Sequence, residues 1–126
     1  DVAVQACPSP PVLVAHSLAC LLVAHWAHRS ALVPKGAFLV AVPDPGSPGF
    51  PPNARGFAPV PMQPHRFPST VVASANDPFG SSTFVRRCAD AWGSRFIDIG
   101  EAGHINADSG LGDWAEGYAL FQNLAG

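Results

Sequence analysis

The 126-residue chain is predicted to be an α/β protein with a parallel sheet. Three observations lead there. Short apolar segments rich in β-branched residues recur at residues 12–15, 37–42 and 70–74, and a fourth strand pattern lies at 95–99. Stretches of helical length and spacing alternate with them, and Pro, Gly, Asn or Ser residues mark the junctions. Strands that are apolar throughout suit burial on both faces, which flanking helices provide.

Each element has a local cause. Val12 to Ala15 follows Pro10-Pro11 and reads as a strand buried on both faces. Residues 18–29 have helical length, with Leu18, Leu22 and Trp26 at i, i+4 and i+8. AFLVAV at 37–42 is a second strand, ended by Pro43. Residues 43–68 hold nine of the fourteen prolines, so neither helix nor strand can run through them. This is a long irregular excursion, and Phe50, Phe57, Val60, Met62 and Phe67 give it apolar groups with which to pack. TVVAS at 70–74 is a third strand, halted by Asn76-Asp77-Pro78. Ser81 or Ser82 can cap a helix whose Phe84, Cys88 and Trp92 form one stripe, and Gly93 stops it. RFIDI at 95–99 is the fourth strand. After a turn-rich segment, Asp113 is expected to cap a last helix that buries Trp114, Tyr118 and Phe121.

Composition narrows the function classes. With 48% hydrophobic and 13% charged residues and a net charge of −2, the chain is a single globular domain with no basic surface for nucleic acid. No apolar run reaches the roughly 18 residues of a membrane span. Cys7, Cys20 and Cys88 are an odd number with no ligand spacing, which fits free thiols in a reducing, cytoplasmic compartment. No metal or organic cofactor is implied. His25 and His28 lie one helical turn apart but lack a third ligand nearby.

The segment PVLVAHSLACLLVAHW (11–26) places a serine between a strand and a helix. That is the context of a nucleophile elbow, usually G-x-S-x-G, in which a sharp turn lifts the hydroxyl above the strand ends. Here alanines, Ala15 and Ala19, occupy both glycine positions. Taken singly, Ser17 reads equally as a turn residue, Asp77 as a turn-former before Pro78, and His104 as a loop histidine. Together they follow the first, third and fourth strands in the order Ser, Asp, His, the order of α/β-hydrolase triads. His16, beside the nucleophile, is a candidate lining residue, and the N–H of Leu18 is a candidate oxyanion donor at the helix start.

VLVAHSLAC, FAPVPMQPHRFPSTVVASANDPF and AWGSRFIDIGEAGHINADSGLGDWAEGYALF resemble the small serine hydrolases related to retinoblastoma-binding protein nine, compact α/β-hydrolases. The GHIN-DSG-GDW-EG segment is the most specific part. The resemblance implies Ser17 as nucleophile, Asp77 as acid and His104 as base, acting on a small acyl-ester substrate. It also implies strands, helices and a loop carrying a second oxyanion donor, upstream of anything that matches here. The chain, starting at Asp1, is therefore expected to be the C-terminal portion of an α/β-hydrolase fold. Its first strand would be an open edge prone to self-association. The excursion at 43–68 is expected to place Phe50 and Phe57 along the acyl pocket. Two other readings remain open: a non-catalytic binding protein on this fold, and an inactive truncated fragment.

Overall fold

The structure, a computed structural model, describes residues 9–30, 32–48, 50, 56–106 and 114–125. Its elements are β1 (Val12–His16), α1 (Leu18–Arg29), β2 (Gly36–Val40), β3 (Ser69–Ala73), α2 (Ser82–Trp92), β4 (Arg95–Asp98) and α3 (Ala115–Ala125). The four strands form one parallel sheet in the order β1-β2-β3-β4. Register follows the apolar runs: Val12 lies opposite Gly36 and His16 opposite Val40.

Side chains alternate along each strand, so every strand serves two layers. Ala15, Ala37, Leu39, Val71 and Ala73 face a core that includes Cys20, Leu21 and Ala24 of α1 with Val85, Cys88 and Trp92 of α2. Phe38, Val40 and Val72 point the other way, into a smaller cluster with Ile105, against which Trp114, Leu120 and Phe121 pack. The parallel sheet thus lies between helices, α1 and α2 on one face and α3 on the other. No helix among the described residues is long and apolar enough to cross a membrane.

α2 forms as its sequence predicts. Ser81 Oγ accepts the N–H of Phe84, 3.2 Å away, and Gly93 ends the helix in the left-handed region at φ 72°. Phe84, Val85, Cys88, Ala89 and Trp92 are all buried. The proline-rich excursion is irregular where described, and it packs inward. The Trp92 indole N–H donates to the Pro61 carbonyl at 2.7 Å, and His65 stacks between the Phe67 and Trp92 rings.

Several expectations are corrected. β2 ends at Val40, not at residue 42, because Ala41 turns into the left-handed region at φ 58° while its N–H still reaches the Val72 carbonyl. β1 is not buried on both faces: Val14 is 63% exposed, since β1 is the outermost strand of the described sheet. α1 buries Cys20, Leu21, Ala24 and Ala27, whereas Leu22 of the expected stripe is exposed. Tyr118 is exposed rather than buried, although Phe121 packs on Phe38. Cys20 and Cys88 are free, buried thiols. Cys7 and the proposed cap Asp113 lie outside the described residues.

Candidate active site

All four strands run the same way, so the turns after them meet at one edge of the sheet. Ser17 follows β1, Asp77 follows β3 and His104 follows β4.

Ser17 occupies the N-cap position of α1, and a serine there normally turns its hydroxyl onto the helix's first N–H groups. It does not do so. The residue adopts φ 58°, ψ −124°, with no side-chain cap bond. For a residue with a Cβ this backbone is strained, and such strain persists only where the surroundings impose it. Two backbone bonds impose it here. The Ser17 N–H donates to the Val40 carbonyl at 2.9 Å, and the Ser17 carbonyl accepts the Cys20 N–H at 2.8 Å. Beneath the turn, the buried Cys20 thiol donates to the carbonyls of Val40 at 3.3 Å and Ala15 at 3.5 Å. Burial pushes that thiol from its ordinary 9.0 up to about 12, so it is a neutral packing group and not a nucleophile.

The hydroxyl released from capping lies 2.7 Å from His104 Nε2. On the other side of the ring, His104 Nδ1 lies 3.0 and 2.9 Å from the two oxygens of Asp77. A carboxylate accepts, so Nδ1 carries the proton and Nε2 is free to accept from Ser17. Asp77 is buried, and its Oδ1 also accepts the Phe79 N–H at 2.9 Å. The Phe79 ring meets the His104 ring edge-on at 4.6 Å.

Other candidates sort themselves around this trio. Leu18 opens α1, and its N–H belongs to the first turn, whose amides lack intrahelical acceptors. His16 Nε2 lies 2.9 Å from the His104 carbonyl, and the two rings are 5.0 Å apart. Beside it, an open groove of about 570 Å³ runs between Val14, Phe38, Ile105 and Phe121. Phe50 and Phe57 do not line that groove, nor the cavity on the far side of His104. They contact each other edge-on at 6.3 Å and pack on the α1–α2 core, where His25 Nε2 bonds the Phe57 carbonyl at 3.0 Å. At Phe57 the excursion thus lies against α1.

Two residues escaped the sequence reading. Ser74 Oγ accepts the Ala102 N–H at 2.9 Å and donates to Asn76 Oδ1, which in turn accepts the Gly103 N–H at 2.8 Å. They hold the loop that carries His104. The signal was available: a serine and an asparagine flanking the end of an apolar strand, where only turn formation was read.

The sequence model of a family described as serine hydrolase matches residues 1–123. The chain is similar to a YdeN-like hydrolase from Pectobacterium atrosepticum at 33% identity, with a TM-score of 0.80 over 98% of this chain and 63% of that one. It also resembles the carboxylesterase of Bacillus cereus in fold, at 17% identity and a TM-score of 0.59, over 90% of this chain and 49% of that one. The chain therefore spans less than two thirds of the length of either structure. No curated protein is a significant match.

Proposed function

We propose that this chain, which belongs to the serine hydrolase family, cleaves ester or related acyl bonds through Ser17, His104 and Asp77. The observation that carries the reading is the pair of contacts on one imidazole, 2.7 Å to Ser17 Oγ and 2.9 Å to Asp77 Oδ2. A serine that forgoes capping to meet a histidine already held by a buried carboxylate has the geometry of an activated nucleophile.

The chemistry follows from those atoms. Ser17 Oγ attacks the carbonyl carbon while His104 Nε2 takes the hydroxyl proton. The tetrahedral intermediate collapses as Nε2–H protonates the departing alkoxide, which leaves as the alcohol. Water then gives its proton to Nε2 and attacks the acyl-serine. Collapse returns that proton to Ser17 and releases the acid. Asp77 holds the ring in the Nδ1–H form and stabilises the imidazolium at each stage. The Leu18 N–H serves the oxyanion. The resemblance implies a second donor on a loop that precedes the nucleophile strand in such hydrolases. The groove beside His16 offers apolar surface to the acyl part.

Within the family, the GHIN-DSG-GDW-EG segment supports a place among the hydrolases related to retinoblastoma-binding protein nine. The deciding experiment is labelling with a fluorophosphonate probe, together with hydrolysis of p-nitrophenyl esters. Ser17 is expected to be the labelled residue, Ser17→Ala to lose labelling, and Asp77→Asn to lose about 10^4 in turnover. A folded protein whose Ser17 stays unlabelled at high probe concentration would overturn the reading and favour a non-catalytic binding role.

A further inference from the structure

We propose that His16 is a positioning residue for the base: it holds the His104 backbone against the nucleophile strand. The inference rests on the reading of Ser17 and His104 as nucleophile and base, and it concerns a residue that neither attacks nor carries the transferred proton.

Ser17 and His104 come from opposite edges of the described sheet. β1 pairs only with β2, and β4 only with β3, among the described residues. To bring its imidazole to Ser17, the loop after β4 must cross above the ends of β3 and β2. The hydrogen bonds of Gly100, Ala102 and Gly103 lie on the β3 side. The Gly100 carbonyl accepts the Ala75 N–H at 2.8 Å, Ser74 holds Ala102, and Asn76 holds Gly103. The His104 ring is itself anchored to Asp77, on that same β3 turn. These bonds fix the distance from base to acid. None of them fixes the distance from base to nucleophile.

His16 supplies that restraint. Its Nε2 lies 2.9 Å from the His104 carbonyl oxygen, and because a carbonyl only accepts, Nε2 carries the proton and donates. His16 is the last residue of β1, in register with Val40, and it directly precedes Ser17. Val40 in turn accepts the Ser17 N–H. One residue thus links the strand that carries the nucleophile to the main chain that carries the base. The His104 ring and main chain are then gripped from two sides, by Asp77 and by His16. Immediately beyond, Ile105 takes φ 52° and is buried among Phe38, Val40 and Val72, so the chain leaves the site in a constrained path.

Position matters steeply here. Proton transfer needs the base within about 2.6–3.2 Å of the hydroxyl, and a misplacement of about 1 Å can cost about 10^2 in rate. A lost restraint on the His104 backbone acts in the transition state and leaves substrate binding alone. The competing role for His16 is contact with the acyl chain, since it also borders the groove. The two roles differ in kinetics. Positioning lowers kcat by one factor for every ester and spares KM. Acyl contact changes KM, by an amount that depends on chain length.

The test compares wild type, His16→Leu and His16→Gln on p-nitrophenyl acetate, butyrate and hexanoate, with rates per fluorophosphonate-titrated site. His16→Leu is expected to lose about 10- to 100-fold in kcat for all three esters, with KM within about threefold. His16→Gln, whose amide can donate to the same carbonyl, is expected to recover much of that loss. A second readout is independent of turnover. In proton NMR, the His104 Nδ1–H held by Asp77 should exchange faster with water in His16→Leu than in wild type or His16→Gln. An unchanged kcat and exchange rate in His16→Leu, or losses in KM that scale with acyl length, would overturn the proposal. Failure of the catalytic reading is distinguishable: wild type itself would go unlabelled, and the exchange rates alone would then decide whether His16 holds His104.

Discussion

The two faces of the sheet are built to different standards. On one, α1 and α2 close over Ala15, Leu39, Val71 and Ala73, and Leu21, Cys20, Cys88 and Trp92 show almost no surface. On the other, among the described residues, Phe38, Val40 and Val72 form a smaller cluster with Ala41 and Ile105, against which the partly buried Ile99, Ala102, Trp114, Leu120 and Phe121 pack. Val14 and Tyr118 stand exposed there, along an open groove. The closed face carries the packing that makes the sheet. The open face borders the candidate site, through His16 and Ile105. Rigidity under the Ser17 turn and access beside it come from opposite sides of the same strands, because side chains alternate along a strand.

The comparison can be broken most directly in the two cores. Trp92→Ala removes a fully buried ring that also donates to Pro61 and stacks on His65, and it should cost about 3–5 kcal/mol in urea unfolding. Phe121→Ala empties a half-buried position opposite Phe38 and should cost roughly 1–2 kcal/mol. Equal losses from the two variants would show the faces to be energetically alike.

Alkali gives a second, smaller test. Both described thiols lie on the closed face, and burial pushes each from 9.0 up to about 12. The unfolded chain releases these protons above about pH 9, while the folded chain retains them until about 12. Across that window the unfolded state binds fewer protons, so stability is complete below pH 9 and falls as pH rises. The slope should approach 1.4 kcal/mol per thiol for each pH unit, as an order of magnitude. Urea midpoints measured between pH 7 and 11 should fall less steeply for Cys20→Ala than for wild type. A wild-type midpoint flat across this range would mean that the thiols ionise without unfolding.

The smallest effect on stability concerns the open side. If β1 associates edge to edge, as the sequence leads one to expect, Val14→Lys should move the protein toward monomer in sedimentation velocity. It should change stability by no more than about 0.5 kcal/mol, because Val14 is already exposed. Concentration-independent sedimentation of wild type as a monomer would remove the edge from consideration.

Much of this molecule is determined locally. The apolar runs, the serine cap of α2 and Gly93 at its end follow from side-chain patterning and backbone preference, which act within a few residues. The order Ser17, Asp77, His104 after the first, third and fourth strands was also readable, since a parallel sheet brings those ends to one edge. What tertiary structure alone decided is where each part turns once several partners compete. Ala41 leaves β2 early, and Leu22 yields the buried face of α1 to Cys20 and Leu21. Phe50 and Phe57 pack on the α1–α2 core rather than along the groove. The ties to the loop that carries His104 were equally hidden. Ser74 and Asn76 reach it across about thirty residues of chain, and His16 across 88. A hydrogen bond has no sequence period. It exists only where the completed sheet carries donor and acceptor to within 3 Å of each other, and that is why the contact between His16 and the His104 carbonyl left no mark in the sequence.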